Sequence, residues 1–302
     1  MLRLREQAEP RVTDPSLERY RRKVAQLLRD KGRLEAEQVR GVLALLTAAR
    51  RRLSEELLAV VPGAEDTWQA VHLRELRAAV DRVLMDFAER YNLVLGGAME
   101  NAWESGAEFA EQALGAGGVH LSFAQELSRE QLEVALTLRA DLVRRVSTDA
   151  REGIARQVTL GVMGQKPTGT IMREVAAILR TQPDRTTGRM GTVADQAERI
   201  VRTEMGRTFS TANRLRGDEI AAGSPGLQHY WRSAHDLRTR SAHVLADQRY
   251  APGGTPGPIS YQQPFMVGGE KMRYPHDPLG SAANTINCRC VELQYHPDWF
   301  GK

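Results

Sequence analysis

The chain has 302 residues, of which 41% are hydrophobic and 26% charged, with a formal net charge of +4. These values are ordinary for a water-soluble protein of one or two domains and leave ample material for a core. No apolar run approaches the roughly 20 residues of a membrane span, and Met1-Leu-Arg-Leu-Arg-Glu6 lacks a signal-peptide core, so the expected setting is a cytoplasm with no membrane contact.

Asp14-Pro15 predicts a helix start, a capping side chain followed by proline at the first helical position. Leu17, Tyr20, Val24, Leu27 and Leu28 follow at helical spacing, and Gly32 is expected to break the pattern. A second helix is predicted from Leu34 to about Val60, with Val39, Val42, Leu46, Ala49, Leu53 and Leu57 on one side and Pro62-Gly63 as its stop. A third starts near Asp66 and carries Val71, Leu76, Val80, Val83, Leu84, Phe87 and Tyr91. Gly96-Gly97 kinks or ends it, and Ala98 to Leu114 is helical again. Trp68 and Trp103 read as helix-packing positions. Gly115-Ala-Gly-Gly118 reads as a linker.

Ser128-Arg-Glu-Gln131 has the form of a capping box and opens a helix through Leu132, Leu136, Leu142, Val146 and Ile154. Gly161 to Gly169 reads as a loop, Thr170 to Leu179 as a short helix, and Gln182 to Thr192 as a polar loop. Thr192, with Asp195 three residues on, starts a helix that carries Val193, Ala197, Ile200, Val201 and Met205 and ends before Gly223-Ser-Pro-Gly226. Beyond it the period changes: Leu227 to Trp231 and Cys290 to Tyr295 alternate like strands, with turns between them. The expected fold is mainly α, a multi-helix N-terminal body followed by a small loop-rich α+β C-terminal domain. Its regions are residues 1–118, 119–223 and 224–302.

Charge is uneven. Residues 1–60 carry 14 Lys and Arg against 9 Asp and Glu, a balance of +5; the rest carry 28 against 29. Basic triplets stand at Arg21-Arg22-Lys23 and Arg50-Arg51-Arg52. They read either as solvated helix faces, since acids alternate with the bases, or as non-specific contacts to the phosphates of double-stranded DNA.

The C-terminal third holds an ordered series: Glu198-Arg-Ile-Val-Arg-Thr-Glu204, then Trp231, Asp236, Arg238, Arg240 and His243, then Asn287-Cys-Arg-Cys290. This series resembles the C-terminal domain of bacteriophage Mu F-like minor head proteins, also called head morphogenesis proteins. Arg202, Thr203 and Glu204 match that family's Arg-Thr-Glu helix, and Trp231, Asp236, Arg238, Arg240 and Asn287 its further motif positions. The family's usual glycine after the Asp that follows His243 is Gln248 here. The resemblance implies a virion component assembled in the host cytoplasm. Such a protein works with the portal protein and the inner capsid surface in head assembly, DNA packaging or genome delivery.

The residues themselves leave other readings open. Cys288 and Cys290 are the only cysteines, and a bridge between them would close a very short, strained loop. With His243 they form a candidate metal site, for which zinc is suited; His235, Asp236, Asp247 or His276 is a candidate fourth ligand. The bland alternative is a packed, hydrogen-bonded core. Asp236, Arg238, Arg240 and His243 together offer acid–base and phosphate-binding chemistry, and ion pairs and turn caps account for them equally. A metal-dependent nuclease or toxin-like enzyme and a host DNA-binding helical protein are the alternatives to the head protein.

Overall fold

The computed structural model describes residues 15–60, 69–119, 127–164, 166–179 and 192–300. Asp14, the Pro62-Gly63 stop, the Asp66 start, Trp68 and most of the Gln182–Thr192 loop lie outside the described residues. The fold is mainly α, with a few short antiparallel strands near the C-terminus. Among the described residues no helix is long and apolar enough to cross a membrane.

Helix α1 (Pro15–Val60) runs unbroken through Gly32, correcting the predicted break. One glycine inside a helix costs about 1 kcal/mol relative to alanine. That cost is small beside a buried face that continues on both sides of Gly32, from Leu17, Tyr20 and Val24 to Val39, Val42 and Leu46. A 3-10 turn at Ala70–His72 leads into α2 (Leu73–Ala116), which likewise passes straight through Gly96-Gly97. Gly96, and Gly106 further along, serve close approach rather than termination, while a Cβ on Gly97 would meet nothing within 4 Å. A Cβ on Gly96 would stand 2.5 Å from the Arg139 guanidinium, and one on Gly106 would stand 2.3 Å from the Phe209 carbonyl oxygen.

Helix α3 (Glu130–Met163) starts after Arg129, which makes no side-chain cap. Ser128 instead accepts from the Glu130 N–H at 3.5 Å, so the expected capping box does not form. The helix extends over Gly161, where a Cβ would meet Ile171 at 2.3 Å. The predicted loop is therefore shorter, and α4 (Thr168–Ile178) follows at once. The capping box at α5 (Val193–Gly223) does form: the Asp195 N–H donates to Thr192 Oγ1 at 3.3 Å and the Thr192 N–H to Asp195 Oδ2 at 2.8 Å.

Helix α5 packs against α1, α2 and α3. One apolar cluster joins them, with Leu46, Tyr91, Phe109 and Phe209 at its centre. The C-terminal segment lays β1 (Gln228–Arg232) between β2 (Ile259–Ser260) and β5 (Val291–Tyr295), all antiparallel. Helix α6 (Ser241–Tyr250) follows β1 in the chain and packs against β1 and the later strand Phe265–Val267. A hairpin of β3 (Phe265–Val267) and β4 (Glu270–Met272) turns on Gly268-Gly269, both at positive φ, as a tight two-residue turn requires. A one-turn helix α7 (Ala282–Thr285) precedes the cysteines.

The three-stranded sheet is buried on both faces. Val291, Leu293 and Tyr230 face the helical core. Trp231, one residue out of phase, joins a second cluster with Tyr250, Phe265, Met272 and both cysteines. The sheet thus fixes where the C-terminal segment meets α5.

Candidate functional site at the junction of α5 and the C-terminal segment

The motif residues of the two stretches, some eighty positions apart, meet in space. Thr203, buried on α5, accepts from the backbone N–H of Asn287 through Oγ1 at 3.1 Å. Asn287 takes a left-handed conformation, φ 54°, which asparagine tolerates better than most residues. Arg202 pairs with Glu198 at 2.9 Å and with Glu35 of α1. Glu204 pairs with Arg207 at 2.9 Å, the three-residue spacing that the sequence offers. Burial lifts the Glu204 carboxyl above its ordinary range despite Arg207 and His276 nearby. Thr203→Val is expected to leave the Asn287 N–H without its acceptor and to cost about 1–3 kcal/mol; urea denaturation of the two proteins checks this.

On the other side, Asp236 organises the loop before α6. It accepts from the Arg238 N–H at 3.0 Å, from Thr239 Oγ1 at 3.1 Å and from Arg289 at 2.8 Å. Arg240 donates to the Ile286 carbonyl at 2.5 Å. Arg238 lines an open cleft with Asp195, Glu198, Arg199 and Arg202. Asp236 and His243 therefore engage separate partners, and the series acts as turn caps and ion pairs. Gln248, where the resemblance leads one to expect glycine, lies inside α6, which continues to Tyr250.

His243, Cys288 and Cys290 come together. His243 Nδ1 lies 3.2 Å from Cys290 Sγ and 3.6 Å from Cys288 Sγ, and the three donor atoms lie within 4.8 Å of one another. All three residues are buried and both thiols are free. The cysteines precede β5 rather than sitting in it, which lets both turn inward where strand alternation would separate them. Trp231 stands edge-on to the His243 ring at 5.4 Å. The Cys288 thiol is held well below the ordinary range by its hydrogen bond with Cys290 and, against the opposing effect of burial, by His276 and His243. The same hydrogen bond and burial push the Cys290 thiol far up.

Of the four candidate fourth ligands, Asp236 is occupied as described. Asp247 accepts from the Ser233 N–H at 3.0 Å, from Ser233 Oγ at 2.7 Å and from His235. His276 is different. It is 1% exposed, and neither ring nitrogen makes a hydrogen bond of ordinary geometry, although the ring comes close enough to Cys288 to favour its thiolate. It lies over α5 at Gly206, where a Cβ would stand 2.5 Å from its ring.

A buried polar network escaped the sequence reading. Arg214 of α5 donates to Glu292 at 3.1 Å, to the Arg273 carbonyl at 3.1 Å, to Asp218 at 3.0 Å and to the Tyr261 carbonyl. Glu292 also pairs with His229, whose other nitrogen meets the Ser260 carbonyl at 3.1 Å. His229 and Glu292 are almost fully buried. The one available signal was Glu292 and Gln294 alternating with Val291 and Leu293 in a strand, a pattern that by itself places them on a wet face.

The basic triplets lie on α1. Arg21, Arg22, Arg50, Arg51 and Arg52 are exposed and Lys23 partly so. Arg51 pairs with Glu55 at 3.8 Å, and Arg52 with Glu56 at 3.2 Å and Asp86 at 3.1 Å. Comparison with known protein families, with curated proteins and with solved structures finds no match.

Proposed function

We propose that this chain is a phage minor head protein of the Mu F-like kind. It would associate with the portal protein and inner capsid surface during head assembly, DNA packaging or genome delivery. The observation that carries the reading is the Thr203–Asn287 contact. It joins the Arg-Thr-Glu helix to the Asn-Cys-Arg-Cys segment, so a series first noted for its order along the chain has a common place in the fold. Motif residues that cap, pair and dock across one junction suit a protein whose work is to hold shape and bind partners.

The alternatives have weaker support. Arg51 and Arg52, the heart of a DNA-binding reading, face acids. Asp236 and His243, the core of an enzymatic reading, are committed to different neighbours. The test is co-expression with the portal protein of the same phage, together with mass spectrometry of purified proheads and virions. Co-sedimentation with the portal and a low copy number per particle are expected. A chain that sediments alone beside the portal and is missing from both kinds of particle overturns the reading.

A further inference from the structure

His243 enters the buried pocket from the first turn of α6, Cys288 and Cys290 from the approach to β5, and His276 from the turn after β4. We propose that these four residues hold one zinc ion, which ties the three segments together beneath α5. This inference is independent of the head-protein reading.

The geometry fits. With zinc–sulfur bonds of about 2.3 Å and zinc–nitrogen bonds of about 2.0–2.1 Å, the sulfur–nitrogen edge of a tetrahedron is roughly 3.6 Å. His243 Nδ1 stands 3.6 and 3.2 Å from the two sulfurs. Hydrogen bonding alone fits less well. A single imidazole nitrogen has one proton or one lone pair to offer, yet two sulfurs converge on it. A metal satisfies both at once.

His276 supplies the second observation. Buried polar atoms nearly always have partners, and neither nitrogen of this ring makes a hydrogen bond of ordinary geometry, its nearest polar neighbours being the Cys288 thiol and the Glu204 carboxyl. It is held there at φ 65°, in the left-handed region, against a helix surface that only glycine at position 206 leaves open. It borders Cys288. Backbone strain of this kind persists only where the surroundings enforce it. The remaining candidates are engaged elsewhere: His235 pairs with Asp247, and Asp236 with Arg289.

Charge also balances. Two thiolates and two neutral imidazoles around a divalent ion leave no net charge in a buried site, where an uncompensated charge is costly. Thiolate and imidazole donors select zinc over the hard cations. Four protein ligands in a closed, buried shell mark a structural ion rather than one with an open catalytic position. The segment needs such a tie, because its own core holds only a few large apolar side chains besides the cysteines.

The test uses the full-length protein, purified under reducing conditions. Elemental analysis should find one zinc per chain. Cobalt substituted for zinc should give the intense visible bands of a tetrahedral site and sulfur-to-cobalt charge transfer. His276→Gln should weaken zinc binding by more than the roughly 10–100-fold that loss of an outer partner costs, and Cys290→Ser should abolish stoichiometric binding. Should Cys290→Ser fail to fold, chelation of the wild-type protein decides: protease cleavage between β1 and β5 should rise while the helical signal is kept. Helical protein that takes up no zinc or cobalt when supplied with excess ion overturns the site. An octahedral cobalt spectrum, or cleavage indifferent to chelator, does so equally, and unchanged affinity in His276→Gln overturns the fourth ligand.

Discussion

Arg214→Ala is expected to destabilise the folded chain by about 3–5 kcal/mol, the cost of removing one partner from a buried ion pair. Arg214 is 7% exposed and Glu292 1%. The guanidinium reaches three parts of the C-terminal segment at once: Glu292 in β5, the Tyr261 carbonyl after β2 and the Arg273 carbonyl after β4. It also lies over the Tyr261 ring at 4.8 Å. Truncation strands two carbonyls and leaves the Glu292 carboxylate with His229 alone. Because α5 belongs to the main helical core, the loss should also uncouple helix from sheet. Urea denaturation followed by helical circular dichroism measures the cost. The double variant Arg214→Met/Glu292→Leu should recover part of it, since apolar replacement of both partners removes the buried charges together. A single variant within about 1 kcal/mol of wild type, the range of an exposed pair, would show that the network is solvated and not a tie.

How far the sequence was legible differs from element to element. Apolar spacing placed the helices well, because a stripe of Val39, Val42, Leu46, Leu53 and Leu57 has one way to be buried. Helix ends were harder. Gly32, Gly96 and Gly161 have the composition of stops, yet each lies within a helix. At Gly96 and Gly161 the reason lies on another element, in Arg139 and Ile171, which local pattern cannot contain. Ser128 and Thr192 show the same limit for caps. Both sequences carry an acid or amide three residues on, but only Thr192 closes the reciprocal pair.

At the site, His243, Cys288 and Cys290 were legible because soft ligands are scarce in this chain and cluster late in it. His276 stood as one of four equal candidates. Only its near-complete burial beside Cys288 and the glycine beneath it separate it from Asp236, His235 and Asp247. Arg214, His229 and Glu292 were not legible. Their pairing depends on β5 being covered on both faces, a fact of assembly rather than of strand alternation.

Trp231→Ala is expected to cost about 3–5 kcal/mol, as truncation of a fully buried aromatic does, and to act mainly on the C-terminal segment. Trp231 is completely buried and stands at the centre of the second apolar cluster. It meets His243 edge-on at 5.4 Å and Phe265 at 5.7 Å. Its indole N–H lies near the Cys290 sulfur without a hydrogen bond of ordinary geometry. Removal opens a cavity beside both the aromatic packing and the cysteine pocket. The opposite face of the same sheet, with Val291 and Leu293, stays against the helical core. Hydrogen exchange should therefore quicken through α6, β3 and β4, while α1, α2 and α5 keep most of their protection, as expected when separate clusters open as separate cooperative units. Zinc affinity should fall with it, because the walls that hold His243 are lost. Equal loss of protection in α2 and in α6 would mean that the two clusters unfold as one, and that the sheet transmits the damage from one face to the other.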